Sequence, residues 1–156
     1  MEKILISSCL LGNQVRYDGG DNRLTESCIA KWQAQGRLCV ICPEVSGGLP
    51  TPRAPAEQRG GQVITCDGQD VTAQFHLGAN LALAVAQAEG VKMAILKARS
   101  PSCGSMRIYD GSFSRTLTDG DGLTAAALKQ AGIRVFSELE LDEAQLYLEQ
   151  LDAECH

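Results

Sequence analysis

Residues 93–104 read MAILKARSPSCG. An apolar run is halted by Arg99, Ser100 and Pro101 just before Cys103 and Gly104. A short continuous apolar run bounded by turn residues predicts a strand buried on both faces, as parallel sheets require. The expected strand covers 93–98, with Cys103 a few residues beyond it. Working backwards, 71–88 has the alanine and leucine content and the apolar spacing of a long helix with one buried face, closed by Gly90. Before it, 38–42 (LCVIC) is a second apolar run that stops at Pro43 and Glu44, and 3–8 (KILISS) is a third that leads into Cys9. Three apolar runs thus each deliver a cysteine at or just past their carboxyl ends.

The remaining stretches fill in the connections. Residues 25–35 predict a helix stopped at Gly36, with Trp32 in the core. Residues 107–115 predict a small hairpin around Asp110 and Gly111, and 123–131 a helix behind the glycine-rich turn at 119–122. A fourth strand is expected at 133–136 and a last amphipathic helix at 142–151 with Asp142 as its cap. The segment 44–61, rich in Pro, Gly and Arg, reads as a long loop that folds over something. Alternating strands and helices predict an α/β fold, a Rossmann-like three-layer sandwich around a mainly parallel sheet.

Length and composition bound the function. A chain of 156 residues fits one domain, expected over 1–156, which buries about two thirds of its unfolded surface. The N-terminal apolar run is too brief to span a bilayer and lacks the longer core of a secretory signal, so a cytoplasmic location is expected. In a reducing compartment seven cysteines point to metal binding or catalysis before disulfides. A net charge of -5 argues against a surface built for phosphate backbones. A small substrate fits better, while a local basic pocket keeps a nucleotide or a modified tRNA as alternatives.

In an open α/β sheet the ligand crevice lies outside the carboxyl ends of the strands. Cys9, Cys42 and Cys103 meet there if the strands are as expected. Thiolates are soft ligands that suit iron-sulfur clusters and zinc rather than magnesium or calcium. The competing reading is that all three are ordinary buried cysteines, which is the preferred one for Cys28, Cys39, Cys66 and Cys155. Glu44, two residues after Cys42, is close enough to serve as a base for a water. Ser100 and Ser102 flank Pro101, and either hydroxyl is a candidate donor. Arg16, Tyr17 and Asp18 in the loop after Cys9, and Arg53 in the loop after Cys42, are candidates to line a substrate pocket. The GDGLT turn at 120–124 offers backbone N–H groups to an anion. His76 and His156 have no partner at useful spacing.

The segments SCLLGNQVRYDGG (8–20), CPEVSGGLPTPRAPAE (42–57) and LKARSPSCG (96–104), with GDGLTAAALKQAG (120–132), occur in order. Together they closely resemble the thiouracil desulfidase family, long described only as a domain of unknown function, over nearly the whole chain. The resemblance implies a [4Fe-4S] cluster held by three cysteines, which fall on Cys9, Cys42 and Cys103, with the fourth iron open. It places Glu44 and Ser100 at the positions that look catalytic. The implied reaction replaces the sulfur of a thiolated nucleobase such as 2-thiouracil by oxygen from water. An open iron suits this, because it is a Lewis acid that prefers soft sulfur. Alternatives from other classes are a redox cluster, a zinc hydrolase with three protein ligands and water, and a sulfur or metal carrier without turnover.

Overall fold

The computed structural model describes residues 2–11, 27–51 and 53–154. Eight strands occur in the described residues: β1 (Ile4–Ser7), β2 (Leu38–Ile41), β3 (Ala56–Arg59), β4 (Gln62–Thr65), β5 (Met93–Leu96), β6 (Arg107–Tyr109), β7 (Leu117–Asp119) and β8 (Arg134–Ser137). The α-helices are α1 (Ser27–Ala34), α2 (Pro43–Ser46), α3 (Thr72–Glu89), α4 (Leu123–Gln130) and α5 (Leu141–Glu154). Strands β2, β1, β5 and β8 form, in that order, one wholly parallel sheet.

Side chains alternate across this sheet, as the pleat dictates. Ile4, Ile6, Met93, Ile95 and Phe136 face one way and pack with Ile29 and Trp32 of α1 and Ala144, Leu148 and Leu151 of α5. Leu5, Ala94, Leu96 and Val135 face the other way, onto Ala82 and Ala86 of α3 and Ala125 and Leu128 of α4. The fold is therefore the expected three-layer α/β sandwich, and Trp32 lies in its core. From β1 the chain adds β2 on one side, then crosses back to place β5 on the other side of β1. The order reverses between β1 and β5, and a crevice is expected outside their carboxyl ends.

Several local expectations need correction. The stretch 44–61 is not all loop: it contains the single turn of α2 and the strand β3, which pairs antiparallel with β4. The second hairpin is wider than predicted, because β6 pairs with β7 and residues 110–116 form its loop. Asp142 does not cap the last helix. Ser137 instead makes a capping box with Glu140 at the start of a 3-10 turn, Glu138–Glu140, that runs into α5. Cys66 follows β4 and extends that hairpin by donating its N–H to Pro55 O at 2.9 Å. No described helix is long and apolar enough to cross a membrane.

Candidate functional site

Cys9 lies in the 3-10 turn Ser8–Leu11 directly after β1, Cys42 directly after β2, and Cys103 in the loop after β5. All three line one pocket of about 520 Å³ at the carboxyl rim of the sheet, together with Glu44, Arg53 and Ser100. In the sequence these cysteines lie 33 and 61 residues apart. No disulfide joins them. Burial pushes the Cys103 thiol up to about 12, against a hydrogen bond from Ser7 and with added repulsion from Glu44, Cys9 and Cys42. Burial also raises Cys42, while the N–H groups of Val45 and Glu44 and the Arg53 charge favour its thiolate. Thiolates in this pocket therefore need a cationic partner to be stable there.

Cys42 and Cys103 are each held by a device of their own. Ser7 Oγ accepts the Lys97 N–H at 3.0 Å and donates its proton to Cys103 Sγ at 3.5 Å. Cys42 occupies the N-cap position of α2, with Pro43 opening the helix. That helix is pressed onto α3: a Cβ on Gly78 would meet Pro43 O at 1.9 Å, and one on Gly47 would meet Gln74 O at 2.0 Å. Two absent side chains thus let backbone touch backbone and bring Cys42 and Glu44 to the rim.

Cys103 is fixed by the turn before it. Ser100 Oγ accepts the N–H groups of Ser102 and Cys103, each at 3.1 Å. With both lone pairs engaged, that hydroxyl has only its proton to offer, so Ser100 faces the pocket as a donor and not as a proton acceptor. The start of α4 completes the cradle, for Gly122 N–H donates to Gly104 O at 2.7 Å, Leu123 to Pro101 O at 3.1 Å and Thr124 to Ser102 O at 2.9 Å. The GDGLT turn therefore does not present these groups to an anion, because they are already donated to the Cys103 loop. A Cβ on Gly122 would meet Ser102 O at 2.3 Å. From β3, Gln58 Nε2 reaches both Pro101 O and Asp121 O at 2.9 Å.

Glu44 is tied to Arg53, whose Nε and Nη2 lie 3.3 and 3.2 Å from Glu44 Oε1. Burial raises the Glu44 carboxyl above its ordinary range, and the guanidinium opposes that rise. Arg53 also donates to Pro50 O and Thr51 Oγ1, each at 3.1 Å. Its geometry serves the carboxylate and the loop, although it forms part of the pocket wall. Glu44 and Arg53 also line a smaller cavity of about 180 Å³ on the side of Phe75 and Val71.

Ser102 is apart from the pocket lining. It is fully buried, and its hydroxyl is 2.9 Å from Thr124 Oγ1. Arg16, Tyr17 and Asp18, like Cys155 and His156, lie outside the described residues. Sequence reasoning missed Ser7, Lys97, Glu57, Tyr109 and Phe113, all of which line the pocket. Scarcity was the available signal for the two aromatic residues, since only 4% of the chain is aromatic.

The donor set fits an iron-sulfur cluster. Cys9, Cys42 and Cys103 bring three soft sulfurs to the border of one pocket, and thiolates are the ligands by which such clusters are held.

Comparison with known proteins agrees with this geometry. A structure of a [4Fe-4S]-dependent thiouracil desulfidase, TudS, is 50% identical and superposes with a TM-score of 0.94 over 96% of this chain and 99% of that one. The uncharacterized protein YbbK of Bacillus subtilis (strain 168) is 43% identical over 150 residues, 90% of this chain and 98% of the relative. The family model described as 2-thiouracil desulfurase matches residues 4–140, and the chain belongs to that family.

Proposed function

We propose that this chain is a [4Fe-4S]-dependent thiouracil desulfidase that hydrolyses a thiocarbonyl, one water replacing the sulfur of C=S to give C=O and hydrogen sulfide, with Cys9, Cys42 and Cys103 as the cluster's protein ligands. The observation that carries this reading is the meeting of three thiols, one carboxylate and one donor-only hydroxyl around a single pocket. When bound, a cluster with one iron free of protein ligands supplies a soft Lewis acid suited to a thiocarbonyl sulfur.

The chain's own groups do the rest. Glu44 takes a proton from the attacking water, since a carboxylate whose pKa is lifted by burial is a better base than an ordinary one. Arg53 holds Glu44 Oε1 and so orients the carboxylate. Ser100 donates its hydroxyl proton to charge that develops on the substrate. The base or its nucleoside is the favoured substrate, because the pocket has room for a small molecule and the chain's negative charge disfavours a long nucleic acid.

The test is anaerobic reconstitution with iron and sulfide, then sulfide release from 2-thiouracil. Turnover well beyond one sulfide per protein is expected, whereas release limited to one equivalent would make the protein a carrier. Cys9→Ser, Cys42→Ser and Cys103→Ser should each lose activity together with iron. Glu44→Gln should keep its iron and lose about 10²- to 10⁴-fold in kcat; full activity in that variant would remove Glu44 from the mechanism.

A further inference from the structure

Among the described residues four that are not glycine hold a positive φ: Arg99 (68°), Met106 (68°), Phe113 (57°) and Arg115 (60°). Side chains disfavour this left-handed region, and an aromatic one there is a genuine outlier. Such strain persists only where surrounding structure enforces it, and it clusters at functional sites. All of these residues except Met106 line the pocket. Phe113 and Arg115 lie in the 110–116 loop between β6 and β7.

That loop is fastened to β3. Glu57 Oε1 accepts the N–H of Gly111 at 3.0 Å and of Phe113 at 3.2 Å. The Arg59 guanidinium donates to Gly111 O. Gly111 itself has φ 91°, and a Cβ there would meet Gln58 O at 2.7 Å, so only glycine lets the loop lie this close. Two charged side chains of one short strand thereby hold an aromatic ring in an unfavourable backbone conformation. Phe113 is half-buried and belongs to none of the hydrophobic clusters of the core. Tyr109, at the end of β6, lines the same pocket and is likewise absent from those clusters.

The geometry points to Phe113, seconded by Tyr109, as a stacking wall that selects a flat conjugated thiocarbonyl ring over a saturated one of the same size, with Glu57 as the residue that positions it. This rests on the desulfidase reading and adds a basis for choosing among thiocarbonyl compounds. Stacking on an aromatic side chain needs a π-face and is indifferent to ring substituents. Saturating the 5,6-bond puckers that side of the ring and leaves only the N–C(=S)–N–C=O segment flat, so less face is offered for stacking.

The experiment compares kcat/KM for 2-thiouracil and 5,6-dihydro-2-thiouracil in the holoenzyme. Taking each variant's ratio relative to wild type cancels the intrinsic reactivity of the two compounds. Phe113→Ala is expected to lower the ratio about 10-fold, through KM for 2-thiouracil and with kcat little changed. Phe113→Tyr should restore it. Glu57→Leu should lower the ratio in the same direction with iron content unchanged, a result that general destabilisation would not give. Calorimetric binding of uracil should weaken in Phe113→Ala in parallel. A ratio unchanged in Phe113→Ala, or equal losses for both compounds, would overturn the proposal. A wild-type protein that turns over neither compound would defeat the desulfidase reading instead, and the uracil calorimetry would still decide the wall.

Discussion

Ser7 has one proton and gives it to Cys103, because its oxygen already accepts the Lys97 N–H. A hydrogen bond to a metal-ligating group orients it and tunes its basicity, and losing such a partner costs about 10- to 100-fold in metal affinity. Ser7→Ala is expected to hold iron about 10-fold more weakly in competition with a chelator after anaerobic reconstitution; retention equal to wild type would show that Cys103 is held by its turn alone. That the three cysteines meet at one pocket was legible because each follows an apolar run, a pattern that burial and turn chemistry impose on the sequence. Ser7 was not, since a serine at the end of a strand carries no mark of what its hydroxyl touches. Ser100 and Ser102 look alike in sequence on either side of Pro101. Backbone direction alone turns one hydroxyl to the pocket and the other to Thr124. Arg53 was legible as a residue of the site but not as the partner of Glu44, because their pairing depends on how the loop folds back.

Helix α2 is the element on which the site's geometry turns. It has one turn, closed by the Ser46 N–H on Cys42 O and the Gly47 N–H on Pro43 O, each at 2.9 Å, and its contact with α3 sets where that turn lies. Gly78→Ala would drive a methyl group into Pro43 O, so α2 must move. Overpacking of this kind costs roughly 1–3 kcal/mol. The variant is expected to melt lower and to retain less iron than wild type; a lower melting point with full iron retention would show that α2 can shift without carrying Cys42 away. The long helices and the buried strands were legible, since their periodicity extends over enough residues to stand out. Helix α2 was too short for any periodicity, and β3, with the sequence AEQR, has no apolar alternation to announce it. The loop of the second hairpin was misjudged because pairing across 110–116 is settled by Glu57 and Arg59 on β3, not by the turn dipeptide at 110–111.

At the scale of the whole molecule, the N-terminal strand and the last helix are pinned by one pair. Arg37, 5% exposed, reaches Asp152 Oδ1 at 2.8 Å and Glu2 O at 2.8 Å. Partial burial pushes Asp152 up, but the hydrogen bonds from Arg37 and the Glu2 N–H outweigh it and hold the carboxyl below its ordinary value. A group with a depressed folded pKa stabilises the fold fully above its unfolded pKa, near pH 4, and that contribution fades as pH falls through the folded value. Denaturant titrations between pH 7 and 3 should show this loss. Asp152→Ala should be less stable at pH 7 by about 1–3 kcal/mol, since it leaves a buried guanidinium short of a partner, and should have a flatter acid limb. An unchanged acid limb would place the acid sensitivity elsewhere.

The parallel register of β1 with β5 sets Ile4, Leu5 and Ile6 beside Met93, Ala94 and Ile95. A slip by one residue would turn every β1 side chain to the opposite face, aim Ser7 away from Cys103 and rotate Cys9 off the rim. The centre is consequently not portable. No excised peptide carries it, and transplanting it into another scaffold would mean moving a whole sheet edge, its two glycine contacts and the mouth of α4 along with three sulfur atoms.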